Sequence, residues 1–239
     1  SKSSIGCSTP FHILNHILYA DDLTLLCLSA KGMQKLLSRC SEFAKVHNIT
    51  FNVSKTVCTV FEPKSSNIKV HPSLYLNEIV INYVDYHKYL GVILCNKNDG
   101  RDIYRQMRSY ISKVNMLCEI FSKCSTDVKL QLYNSYCTSM YSVHLWSLYY
   151  KKDFEKFRVI YNNGFRKLFK LEKRCSASGM FSYSNVLSFK ELLRKNILSF
   201  INRLYSSSNI YIKFFCSPFY EISSMTWHHW HVSLYTTYM

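Results

Sequence analysis

At 239 residues, 48% hydrophobic and 15% aromatic, the chain has enough apolar material for one large folded domain or two small ones, which excludes a disordered tail. Its 30 lysines and arginines against 15 acids leave a formal charge of +15, a balance that favours a polyanionic partner, either nucleic acid or an anionic membrane face. Ten cysteines stand singly with no CxxC pair or zinc-type Cys/His spacing, and no secretory leader or membrane-length apolar run appears, so the chain reads as intracellular, in nucleus or cytoplasm.

The charge is uneven: residues 1–100 carry a net +3 and residues 101–239 a net +12. In chain order, residues 13–19 and 23–28 predict two short strands joined at Ala20-Asp21-Asp22, a hairpin with both aspartates at its tip. Two carboxylates between strand-forming runs need compensation from solvent, a basic partner or a divalent metal. A helix follows, capped by Ser29, with Met33, Leu36, Leu37, Cys40, Phe43 and Ala44 on its apolar side. Thr50 to Phe61, LYLNEIVI and HKYLGVILC predict further strands, the last containing Gly91.

From about residue 100 the period becomes helical. Residues 101–122 repeat Ile103, Met107, Tyr110, Ile111, Val114, Leu117, Ile120 and Phe121; residues 126–146 repeat Val128, Leu132, Tyr136 and Met140. Residues 152–170 continue the pattern, and a Ser188-to-Glu191 capping box opens another helix. The fold class expected is α+β: a sheet with a hairpin, backed by a helix (1–98), then an all-α basic region (99–239). Nine lysines and arginines against three acids lie between Lys151 and Arg174, among them Lys151, Lys152, Lys156, Arg158, Arg166 and Lys167, with Tyr and Phe interleaved; as a cluster they suit a phosphate backbone. Trp227-His228-His229-Trp230-His231 could chelate a transition ion but lacks an evident fourth ligand, so packing or disorder is expected there.

Three ordered motifs then point to a family. YADD (Tyr19 to Asp22), FNVSKT (Phe51 to Thr56) and KYLGV (Lys88 to Val92) resemble the palm of reverse transcriptases from LINE-type (non-LTR) retrotransposons. DLTLL, GMQKLL, DIYRQMR, YCTSMYSVHLW, YNNGFRKL and SASGMF resemble the surrounding and downstream regions, so the likeness runs along nearly the whole chain. It implies a partial polymerase palm followed by thumb and downstream helices. It also implies two-metal nucleotidyl transfer with Mg²⁺ or Mn²⁺, an RNA template, a DNA primer or target, and dNTP in the complete enzyme. By the same resemblance Asp21 is a direct metal ligand supported by Asp22, and Lys55 is the general acid for the leaving pyrophosphate. Tyr19 lies beside the primer end, and Tyr89, Leu90 and Gly91 form a primer-grip hairpin.

The family's third metal-binding carboxylate lies well upstream of this hairpin, and residues 1–18 contain no acid. The expectation is therefore a portion of a longer protein, without two-metal catalysis of its own and with sheet edges left exposed. The alternative is a non-catalytic nucleic-acid-binding remnant. A membrane role would need an apolar helix face left free, and these stripes read as used in packing.

Overall fold

A computed structural model of the protein describes residues 5–8, 13–62, 70–95, 100–148 and 151–216. The chain divides into two compact units, Ser1–Lys97 and Asn98–Met239. Its class is α+β, with short strands and one long helix in the first unit and helices in the second.

In unit 1, β1 (Cys7–Ser8) pairs with β2 (Ile13–Leu14), and β3 (His16–Tyr19) with β4 (Asp22–Leu25), both antiparallel. Helix α1 (Ala30–His47) begins where the Ser29 hydroxyl accepts from the Gly32 N–H and ends at Asn48 in the left-handed region, φ 54°. Leu36, Leu37 and Ala44 are its buried face; Phe43, expected in the same stripe, is exposed. Beyond a short 3₁₀ turn (Val53–Lys55) come β5 (Val57–Cys58), β6 (Leu74–Leu76) and β7 (Ile79–Tyr83), ordered β5-β7-β6, with β5 parallel and β6 antiparallel to β7. Leu37 packs with Leu74, Leu76 and Ile81. The Gln34 side chain closes the outer edge of β6: its amide nitrogen donates to the Tyr75 carbonyl at 2.9 Å and its oxygen accepts from the Tyr75 N–H at 2.8 Å. A last hairpin joins β8 (Tyr86–Tyr89) to β9 (Val92–Cys95).

Three strand expectations need correction. LYLNEIVI is a hairpin, because Asn77 and Glu78 both adopt positive φ (50° and 64°), the geometry of a tight two-residue turn. HKYLGVILC is likewise a hairpin, turning at Leu90 and Gly91. Thr50 to Phe61 keeps only two strand residues, since the Asn52 side chain accepts from the Lys55 N–H and the Ser54 hydroxyl and pulls the backbone into the 3₁₀ turn.

Unit 2 is built from α2 (Arg101–Ile120), α3 (Thr126–Cys137), a 3₁₀ segment (Val143–Leu148), α4 (Lys151–Phe169), α5 (Ala177–Ser184), α6 (Phe189–Tyr205) and α7 (Ile210–Phe215). Ser125, Ser176, Ser188 and Asn209 cap four of these helices, and the Ser188/Glu191 box is formed in both directions. One core threads the unit: Ile103, Met107 and Tyr110 of α2 meet Tyr133 of α3, Phe157, Tyr161 and Phe165 of α4, and Phe189 and Leu192 of α6. The Tyr110 hydroxyl donates to the Tyr161 carbonyl at 2.8 Å and lies 3.0 Å from the Tyr133 hydroxyl; burial pushes the pKa of all three phenols well above the ordinary range. Gly164 allows this approach, because a Cβ there would stand 2.5 Å from the Tyr110 hydroxyl oxygen.

The helix expected over 126–146 stops at Cys137. It buries Tyr133 and Cys137 and leaves Val128 and Tyr136 exposed, a face rotated from the one expected. The physical reason lies elsewhere in the unit. Ser142 turns the chain at φ 68°, and its hydroxyl and the Trp146 indole N–H donate to one oxygen of the buried Asp102 carboxylate at 2.7 and 2.8 Å. Arg105 donates twice to the other oxygen, at 2.9 and 2.6 Å. A buried charge with four donors outweighs a continued helix. Ile111 and Ile120, placed in the α2 stripe, are exposed, and α5 and α7 lack a readable period.

Candidate active site

The YADD segment is the tip of the β3–β4 hairpin, with Tyr19 directly opposite Asp22 and Ala20-Asp21 as the turn. Ala20 sits at φ 52°, a left-handed conformation that costs an L-residue about 1 kcal/mol. Tyr19, Asp21 and Asp22 are all exposed, and among the described residues neither carboxylate has a hydrogen-bond or ion-pair partner. Solvent therefore compensates the pair here. The far end of the hairpin behaves oppositely, since Leu25 packs against the Leu37–Leu74–Leu76–Ile81 cluster. The result is a tip in water on an anchored stem.

The donor chemistry at this tip suits a hard cation: two adjacent, accessible carboxylates match Mg²⁺, which takes one or two carboxylates and completes its shell with water and phosphate oxygens. Among the described residues no group of three or more His, Cys, Asp or Glu side chains gathers into a metal site. The fit is to a single partly hydrated ion at Asp21 and Asp22.

Lys55 closes the 3₁₀ turn that Asn52 organises, and its side chain is exposed. Phe51 and Val53, beside it in sequence, pack against the same cluster as Leu25, so the YADD and FNVSKT segments share one anchor. The third motif, the β8–β9 turn, has Leu90 at φ 45° and Gly91 at φ 81°, both left-handed. Gly suits that position; Leu does not, and two of the three motif segments thus carry a strained apolar residue at a hairpin tip. The Tyr89 hydroxyl is buried without a hydrogen-bond partner. The β8 strand is tied in by His87, whose ring nitrogen is 2.9 Å from the Thr59 hydroxyl and whose basicity burial lowers. No hydrogen bond among the described residues joins the Tyr89–Gly91 turn to Asp21, Asp22 or Lys55.

The basic residues of α4 are not equivalent. Lys151 and Lys152 are exposed at its first turn. The Lys156 ammonium lies 4.8 Å from the Tyr104 ring centroid, a cation–π contact. Arg158 pairs with Glu155 at 2.7 Å. Arg166 donates from two nitrogens to the Cys175 carbonyl and from a third to Asn163, so it fixes the chain beyond α4. Lys167 donates to the Asn115 carboxamide oxygen of α2 at 2.7 Å. Asn115 was not legible as a site residue; its only signal is helical spacing, eleven residues after Tyr104. The Trp227–His231 cluster lies outside the described residues.

No protein-family model and no solved structure matches the chain. Three curated proteins do. The RNA-directed DNA polymerase from mobile element jockey of Drosophila funebris is 25% identical over 162 residues, 63% of this chain and 17% of that protein. The probable RNA-directed DNA polymerase from transposon X-element of Drosophila melanogaster is 28% identical over 156 residues, 60% of this chain and 17% of that protein. The jockey polymerase of Drosophila melanogaster is 23% identical over 162 residues. The chain thus spans about a sixth of the length of the relatives it matches, and the matched share is smaller than the near-whole extent its motifs suggest. Together with YADD, FNVSKT and KYLGV in order, these matches make the chain a relative of the reverse transcriptases of LINE-type, non-LTR mobile elements.

Proposed function

We propose that unit 1 is the distal part of a reverse transcriptase palm and that unit 2 is the thumb and the helices beyond it, the whole binding an RNA template with a DNA primer. The observation that carries this reading is the exposed Asp21–Asp22 pair on a strained hairpin anchored at its far end by Leu25. On this reading Asp21 and Asp22 hold a divalent ion, Mg²⁺ or Mn²⁺, which when bound stabilises charge on the attacking primer oxygen and on the leaving pyrophosphate. Tyr19, opposite Asp22, lies against the primer end. Lys55 holds the proton destined for pyrophosphate, and Tyr89, Leu90 and Gly91 press on the primer backbone, where Gly91 allows close approach. Lys151, Lys152, Lys156 and Lys167 supply charge toward phosphates, while Arg166 keeps its fold-stabilising bonds and Arg158 its pair with Glu155.

Copying with dNTP is proposed for the longer polymerase, as the family resemblance places a third metal-binding carboxylate upstream of this hairpin. This favours template–primer binding without extension for the chain by itself. The test is primer extension on an RNA template with an annealed DNA primer, comparing the chain with an Asp21→Asn, Asp22→Asn double variant in Mg²⁺ and in Mn²⁺. Salt-sensitive binding without extension is the expected result for both. Extension that vanishes in the variant would reveal a further acid completing the site and overturn the binding-only assignment.

A further inference from the structure

The α4 lysines acquire a pattern once α2 is placed beside them. An α-helix advances 100° per residue, so Lys152, Lys156, Val159, Asn163 and Lys167 fall on one stripe of α4, and all five are exposed. Tyr104 and Asn115 of α2 border that stripe. The Tyr104 ring lies under the Lys156 ammonium, and its hydroxyl donates to the buried Asp153 at 2.7 Å; Asn115 receives the Lys167 ammonium. Both pairs of contacts are eleven residues apart on their own helices. The two helices therefore run side by side in the same direction for about 16 Å. Beside Tyr104, Arg108, Ile111 and Ser112 line an open depression with Asn115 and Met116, and Glu119 and the exposed Ile120 stand at its far end.

We infer that this α2–α4 face is a track for a nucleic-acid backbone, with Arg108, Lys156 and Lys167 as its phosphate contacts. Lys152 extends the line at the start of α4. Ser112, Asn115 and Asn163 place hydrogen-bonding groups between the cations, suited to phosphate and sugar oxygens, and the half-exposed Ile111 and Val159 give an apolar floor for the sugar faces. Ile111, Ile120 and Val159 are separated by Arg108, Ser112, Asn115, Glu119 and Asn163, too broken an apolar area for a helix lying in a membrane surface, which favours nucleic acid over anionic lipid. The inference rests on the reading of this chain as a template–primer binder and specifies which surface does the binding. It also divides the basic cluster: Arg158, paired with Glu155, and the exposed Lys173 and Arg174 are off the track.

The experiment uses the full chain and two charge-matched triple variants. The track triple is Arg108→Gln, Lys156→Gln, Lys167→Gln; the control triple is Arg158→Gln, Lys173→Gln, Arg174→Gln. Binding to a labelled RNA–DNA template–primer is followed by anisotropy between about 50 and 200 mM salt, with far-UV circular dichroism to establish that all three proteins fold alike. The track triple is expected to flatten the slope of log affinity against log salt by about 3 and to weaken binding on the order of tenfold or more, while the control triple keeps the wild-type slope. Equal losses in both triples would replace the track with diffuse attraction and overturn the inference, leaving template–primer binding intact. No binding by the wild type would instead overturn the binding reading itself. If vesicles of phosphatidylserine and phosphatidylcholine, and not template–primer, lose affinity in the track triple, the face belongs to a membrane and the inference fails.

Discussion

In unit 2 a single cluster of buried side chains runs from Ile103 to Ile201 and draws on α2, α3, α4, α5 and α6, whereas the cluster in unit 1 is Leu37, Leu74, Leu76 and Ile81. Around the smaller cluster much apolar surface stays open: Leu18 and Tyr19 are each 62% exposed, and Ile79 and Val80 more than half. The difference follows from the elements. A helix satisfies its own backbone and can give a whole stripe to a neighbour, so these five helices close one interior. Two-stranded hairpins bury neither face alone and leave edges to be managed. The proposed site residues Tyr19, Asp21, Asp22 and Leu90 sit on the thinly packed side of this contrast, and the proposed cationic track on the well-packed one.

The sharpest way to break the contrast is to empty the larger core. Tyr161 touches Tyr110, Tyr133, Phe181 and Phe189, and its hydroxyl donates to the Leu187 carbonyl at 2.9 Å. Tyr161→Ala should cost about 3–5 kcal/mol, read as a lowered urea midpoint in near-UV circular dichroism. A change under about 1 kcal/mol would show that the aromatic cluster is not the keystone of unit 2.

A smaller loss is expected in unit 1. Gln34→Ala removes both hydrogen bonds that close the β6 edge and should cost about 1–2 kcal/mol, with concentration-dependent aggregation as the accompanying sign. Amide hydrogen exchange at Tyr75 would report the opened edge directly, and unchanged protection there would contradict the role given to Gln34. Leu90→Gly acts in the opposite direction. Relief of the left-handed strain exceeds the extra chain entropy by about 0.5 kcal/mol, so stability should rise while template–primer affinity falls. A loss of stability would mean that the Leu90 side chain contributes packing beyond its strain.

A further effect is one of pH and vanishes at neutrality. His144, stacked on Phe200 with ring centroids 3.8 Å apart, is held neutral by burial and by the nearby Arg203, its pKa lowered to about 4. The folded state thus resists protonation. The contribution is complete above the ordinary imidazole value of about 6.5 and is lost as pH falls from there toward 4. His144→Phe should flatten stability against pH in that window, measured by thermal melts at a series of pH values. An identical profile in the variant would assign the acid sensitivity elsewhere.

How much of this was legible in the residues varies by element and for identifiable reasons. Helices α4 and α6 were readable because their apolar residues recur at one spacing and the Ser188/Glu191 box is purely local. The YADD hairpin was readable because adjacent aspartates stop a strand whatever surrounds them. The Asn77-Glu78 turn was missed because Glu rarely takes positive φ and pairing of the flanking strands imposes it, while the Leu90-Gly91 turn, read as one strand from its apolar run, was legible only through the family resemblance. The end of α3 was missed because its cause, the four donors around Asp102, is drawn from α2, the turn at Ser142 and the 3₁₀ segment.

The amino-acid sequence by itself determined the α+β class, the cationic excess, the capped helices and the three ordered motifs, since each depends on residues close together in the chain. Tertiary structure alone decided which lysines share a face, which arginine is turned inward onto the Cys175 carbonyl, and why Gly164 must lack a side chain. Those outcomes depend on which helix lies alongside which, and the packing that sets this draws on residues dozens of positions apart.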